Sequence, residues 1–115
     1  MKENIILNKS KQFAINSISL YKDLLLKKEY VLSKQFFRSA TSIGANVNEA
    51  TAGYSKKDFA AKMSIASKEA RESLYWIEII ESMGFTNLNC NELKLENEEL
   101  IRILTAIVKT CQTTN

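Results

Sequence analysis

The chain reads as an all-α protein, an antiparallel up-down-up-down four-helix bundle, on three observations. It has no proline and three glycines in 115 residues, while 45% of its residues are apolar; sheets need turn residues at short intervals and helices do not. Apolar residues recur at spacings of three and four in four separate stretches, as in helices with one buried side. The connections between those stretches are short, which implies antiparallel neighbours. A chain of this length forms one domain, residues 1–115, and buries roughly two-thirds of its unfolded surface.

The first helix is expected over about residues 9–28. Asn8 or Ser10 would cap its free N–H groups, and Ala14, Ile18, Tyr21 and Leu25 would form its buried stripe, widened by Phe13, Leu20 and Leu24. Lys27 and Lys28 put positive charge at its C-terminus, where the helix dipole favours it. The second helix, about 33–51, would start at Ser33, with Leu32 and Phe37 placed as a hydrophobic staple. Phe36, Ala40, Ile43, Val47 and Ala50 share an arc of roughly 80°, a narrow core-facing stripe. Gly44 in its middle costs about 1 kcal/mol relative to Ala. It reads either as a place where another backbone comes close or as a tolerated small residue.

The third helix, about 55–83, has the clearest start. Ser55 is a cap, Asp58 stands where the acidic partner of a capping box would, and Tyr54 with Phe59 is placed as a second staple. Phe59, Met63, Ala66, Ala70, Leu74 and Ile77 make one apolar stripe. Ile65, Trp76, Ile79 and Met83 make another, with Glu69 and Glu72 among them, so a single partner surface does not suffice and a subunit contact is expected there. Gly84 followed by Phe85 reads as a left-handed stop. The fourth helix, about 89–112, would be capped by Asn89 with Glu92, and Leu93, Leu100, Leu104, Ile107 and Cys111 would face the core, widened by Ile101 and Val108.

Beside the core stripe of the second helix runs a polar one: Gln35, Arg38, Ser39, Ser42, Asn46 and Glu49. A solvated face would carry long lysines and glutamates in pairs; short hydroxyls and amides around one Arg and one Glu suit packed, hydrogen-bonded contact. The structural reading is an interhelical network in which Arg38 pairs with Glu49, Glu69 or Glu72, because a buried charge without a partner costs several kcal/mol. The functional reading is a pore lining or a ligand site.

Catalysis and metal binding find little support. There is no histidine, the commonest general base and a frequent metal ligand, and no glycine-rich phosphate loop. Glu69 and Glu72 lie three apart as in di-metal bundles, but those sites also use a histidine. The expectation is no enzyme, no metal and no cofactor. Cys90 and Cys111 stand about 31 Å apart along one helix, too far for a disulfide. With only Ile5 to Leu7 as an apolar run near the start, no membrane span or secretion signal is expected and the setting is cytoplasmic.

Net charge is +3 but uneven: residues 1–71 hold 13 basic and 6 acidic residues, a balance of +7, and residues 72–115 hold 3 and 7, a balance of −4. Opposite halves attract one another within or between subunits. The alternative is nucleic-acid binding through Lys27, Lys28, Lys34, Lys56 and Lys57, which lie at helix ends and would contact phosphates without reading sequence.

Taken in order, Gln35, Arg38-Ser39, Ser42-Ile43, Asn46, Glu49-Ala50, Ser55 with Phe59, and then Ala66, Glu69 and Glu72 form a pattern. It resembles that of the four-helix bundles named after the 23S ribosomal RNA intervening-sequence protein, over roughly residues 9–110. Asn48 departs from the pattern, at a position more often small or apolar. The resemblance implies an antiparallel bundle that assembles with copies of itself into a ring, a homopentamer. The function expected of it is that of a non-enzymatic scaffold, or of an adaptor for another protein.

Overall fold

The computed structural model describes residues 2–113, so Met1, Thr114 and Asn115 of the expected domain lie outside it. Five helical segments follow one another: α1 (Lys2–Asn16), α2 (Ile18–Leu26), α3 (Tyr30–Thr51), α4 (Lys56–Ser82) and α5 (Asn91–Thr113). Only Ser17 separates α1 from α2. Its N–H donates to the Phe13 carbonyl and its carbonyl accepts from the Tyr21 N–H, so the two segments act as one rod and the bundle has four.

Contacts between the rods give their directions. Ser10 lies against Gly44 and Tyr21 against Phe37; Arg38 reaches Glu69 and Glu49 reaches Lys62. Lys94 pairs with Glu81 and Arg71 with Thr105. Lys9 pairs with Glu99 and Asn16 with Glu96. In each case one number rises as the other falls, so every adjacent pair is antiparallel. The rods sit at four corners in chain order, α3 between α1–α2 and α4, and α5 between α4 and α1. The core they enclose is led by Phe13, Phe36, Met63, Ile77, Leu100 and Leu104, all at most 1% exposed.

Two expected helix starts are corrected. Helix 1 is already formed at Lys2, not Asn8 or Ser10, and α3 begins at Tyr30, three residues ahead of Ser33. Ser10 and Ser33 are buried inside helices, and their hydroxyls donate to the carbonyls three residues back, Leu7 at 3.1 Å and Tyr30 at 3.0 Å. Ser17 and Ser39 do the same. A serine that satisfies its own helix takes little room, so another rod approaches closely. At Gly44 a Cβ would stand 3.4 Å from the Ser10 backbone carbonyl, so this glycine does face a neighbouring backbone.

The stripe on the first rod is also corrected. Phe13, Ser17, Leu20 and Leu24 enter the core, and Ala14, Ile18, Tyr21 and Leu25 lie on its α3 flank, part-buried to exposed, with Tyr21 stacked on Phe37 at 4.2 Å. On α4, Phe59 and Leu74 are only part-buried and Ser73 and Ile80 complete the core stripe. On α5 the fully enclosed residues are Asn97, Leu100 and Leu104; Leu93, Ile101, Ile107 and Val108 are packed at its edge and Cys111 is part-buried.

Helix ends follow local chemistry. The Ser55 hydroxyl accepts from the Asp58 N–H at 3.1 Å, capping α4. Tyr54 is fully exposed, so the expected staple with Phe59 is not made. Gly84, at φ 68°, closes α4 with bonds from its own N–H to Glu81 and from Phe85 to Ile80, the Schellman pattern. Lys28, at φ 62°, closes α2 with the same pair of bonds, to Leu25 and from Glu29 to Leu24. The Asn89 side chain accepts from the Asn91 N–H, and Cys90 supplies the first helical carbonyl, to Lys94. The cap position of α5 is therefore Cys90, one residue past the expected Asn89, and the helix starts at Asn91.

Candidate interaction face on α3 and α4

Three residues of the expected network meet where α3 and α4 run side by side. Arg38 donates to both carboxylate oxygens of Glu69, at 2.9 and 3.3 Å, and through Nη2 to Glu72. The Trp76 indole N–H donates to the same Glu72 oxygen at 3.1 Å. The i, i+3 and i, i+4 spacings of Glu69, Glu72 and Trp76 put them on one side of α4, and the antiparallel register brings Arg38 opposite. A guanidinium fork suits this, since it takes one carboxylate in two bonds and still reaches a second.

The electrostatics follow from these contacts. The Arg38 guanidinium is held above its ordinary value, first by Glu69 and then by Glu72. The Glu72 carboxyl is held below the usual carboxylate range by the Trp76 N–H and by Arg38, against the opposing effect of burial. Side-chain exposure is 46% for Arg38, 17% for Glu69 and 37% for Glu72, so the cluster sits at the surface of the α3–α4 seam.

The remaining polar residues do other things. Ser39 is buried and bonds the Phe36 carbonyl; Ser42 bonds Arg38 and Asn46 bonds Ser42, all within their own helix. Their part is to be small, so that α4 packs close. Glu49 pairs with Lys62 at 2.8 Å, away from Arg38, and Gln35 is exposed. Among the described residues no group of three or more His, Cys, Asp and Glu is placed to hold a metal.

The second apolar stripe of α4 flanks this cluster. Ile65 is 42% and Met83 61% exposed, Trp76 and Ile79 are half-buried, and Tyr75 meets Trp76 edge-on at 5.2 Å. Val31 adds to the apolar surface from α3: it is 75% exposed and seven residues before Arg38, hence on the same side. The sequence does not point to it, because Val31 precedes the helix start that Ser33 signals, whereas α3 begins at Tyr30. On the α5 side, an apolar cleft of about 470 Å³ lies between Ile5, Phe59, Ile103 and Ile107, beside the Lys9–Glu99 pair.

The lysines do not converge. Lys27, Lys28 and Lys34 lie around the α2–α3 turn, with Lys27 tied to Asp23 at 2.8 Å. Lys56 and Lys57 lie at the opposite end of α3, beside Tyr54. No helix among the described residues is long and apolar enough to cross a membrane.

Comparison with known proteins places these features in context. The sequence profile of the 23S rRNA-intervening sequence protein family matches residues 2–106. A crystal structure of a protein of unknown function from the S23 ribosomal protein family of Bacteroides thetaiotaomicron is similar to this chain, with 39% identity over 95% of this chain and 99% of the other, and a TM-score of 0.87. No curated protein matches.

Proposed function

Starting from the fact that the chain belongs to the 23S rRNA-intervening sequence protein family, we propose that it is a non-enzymatic cytoplasmic scaffold or adaptor that assembles with copies of itself into a ring, a homopentamer. The observation that carries this reading is the second apolar stripe of α4. A helix whose core face is already complete, with Met63, Ala66, Ala70, Ile77 and Ile80 enclosed, needs no further apolar residues on its flank. Ile65, Trp76, Ile79 and Met83 are there nevertheless, around a cluster whose ionic groups satisfy one another. Buried aromatic and aliphatic anchors around paired charges are what a subunit contact uses. Neither Cys90 nor Cys111 is held in a disulfide, as suits a reducing compartment.

Native mass spectrometry of the protein purified without nuclease tests this. The expected result is a ring of bare subunits; a bare monomer at micromolar concentration refutes it.

A second reading, nucleic-acid binding by a basic rim of the ring, is favoured by the α3–α4 turn. Tyr54 projects fully into solvent beside exposed Lys56 and Lys57, an aromatic platform next to phosphate-binding charge. Mass removable by nuclease, with salt-dependent binding that weakens in Lys56→Gln/Lys57→Gln, would put this reading first.

A further inference from the structure

The seam between α4 and α5 repeats every seven residues on both sides. Met63, Ala66, Ala70, Ser73, Ile77 and Ile80 are the buried residues of α4, at alternating spacings of three and four. Leu93, Asn97, Leu100, Leu104, Ile107 and Cys111 follow the same spacing on α5. A slide of seven residues sets apolar side chains against apolar side chains again, so the apolar pattern by itself does not choose the register. Each side carries one polar exception, Ser73 on α4 and Asn97 on α5, and both are fully buried.

The two exceptions meet at one carbonyl. Asn97 Nδ2 donates to the Ala70 carbonyl at 2.8 Å. That oxygen has two lone pairs, and its own helix uses the other. Ser73 is thereby denied the bond that buried Ser10, Ser17, Ser33 and Ser39 each make to the carbonyl three residues back. With the amide nitrogen turned to Ala70, Asn97 Oδ1 is turned from it. Among the described residues neither Ser73 Oγ nor Asn97 Oδ1 has a hydrogen-bond partner, although burying a polar group unpaired is costly. Ser73 stands one turn past Ala70 on the same side of α4, and Oδ1 shares a carbon with Nδ2, so both atoms lie close to that carbonyl.

We propose that Ser73 and Asn97 hold one internal water between them, and that this polar pair fixes the register of α5 on α4. The Ser73 hydroxyl donates to the water and the water donates to Asn97 Oδ1, a bridge that spans up to about 5.5 Å. These are two of the roughly two to four bonds a buried water makes, and Ala66 and Ala70 leave room for it. A slide of seven residues sets Asn97 against Met63 or Ile77 instead, leaves its amide unpaired, and draws Lys94 from Glu81 and Arg71 from Thr105. Wrong registers lose polar bonds that the apolar seam does not replace. The pair also holds the Ala66, Ala70 and Ser73 side of α4 inward, which keeps the stripe of Ile65, Trp76, Ile79 and Met83 outside whether or not copies associate.

Ser73→Ala separates a bridged hydroxyl from an orphaned one by the sign of its effect. Removing an orphan relieves its desolvation, and Ala is the better helix former, so Tm would rise. Removing the partner of a bound water is expected instead to lower Tm by about 3–6 °C. A high-resolution crystal structure of the unsubstituted protein is expected to show the water between the two side chains, and that of Ser73→Ala to lack it. Asn97→Leu extends the apolar repeat, and Asn97→Ala removes the amide without adding volume. Both are expected to keep the helical circular dichroism while the amide resonances of α5 broaden or double as registers interchange. A raised Tm in Ser73→Ala, or a Ser73 hydroxyl bonded directly to Asn97 or to its own helix in the crystal, overturns the water. Sharp single resonances in both Asn97 variants overturn the register role.

Discussion

Replacing Arg38 by Ala removes two bonds to Glu69 and one to Glu72, and leaves two carboxylates one helical turn apart with no cation between them. An exposed ion pair is worth about 0–1 kcal/mol. Here the two-pronged geometry and the 17% exposure of Glu69 place the loss at the upper end, and carboxylate repulsion adds to it, for about 1–2 kcal/mol in all. In a domain of this size that lowers Tm by about 4–10 °C. Thermal and urea unfolding followed by circular dichroism measure it, and the cycle of Arg38→Ala with Glu69→Gln isolates the coupling. The pH dependence adds a second signature. Glu72 titrates lower in the folded protein than in the unfolded chain, so its contribution is complete above the unfolded carboxylate value and is lost as pH falls through the lowered folded one. In Arg38→Ala that acid-side loss should shrink. A Tm within about 1 °C of the unsubstituted protein, with the same acid dependence, refutes the network.

Other substitutions test the packing. Gly44→Ala places a methyl at ordinary contact distance, 3.4 Å from Ser10, and should stabilise by about 0.5–1 kcal/mol through helix propensity; Gly44→Leu should destabilise by driving α1 from α3, both read by urea midpoints. Lys28→Gly relieves a left-handed backbone at φ 62° and should gain about 1 kcal/mol; no gain in thermal unfolding would show that the turn is not strained. Asp23 accepts from Lys27 and Thr86, bonds that hold its carboxyl low, and so ties α2 to the α4–α5 connection, four residues before the buried Cys90. Its hold is present above the unfolded carboxylate value and lost as pH falls through the folded one. Asp23→Ala in a Cys111→Ser background should therefore speed Cys90 labelling by a thiol reagent at neutral pH, and an unchanged rate counts against that role.

The sequence by itself determined what is settled within a few residues of chain. Helix order follows from periodicity and short connections, the Ser55 cap from a serine three residues before an aspartate, and the Gly84 stop from the one residue type that adopts positive φ freely. Arg38, Glu69 and Glu72 were also legible as partners, because a charge on a seam needs one. Tertiary structure decided the rest. Ser10 and Ser33 carry the local signature of caps, yet Gly44 and the packed rods bury them mid-helix. Lys28 takes a glycine's place because α3 must turn back there. The first rod and α4 each have two apolar stripes of similar strength, and nothing local says which faces inward. That choice belongs to partners tens of residues away: Phe36 and Ile43 admit Phe13 and Leu20 to the core, and Ile18 and Tyr21 are left on the flank.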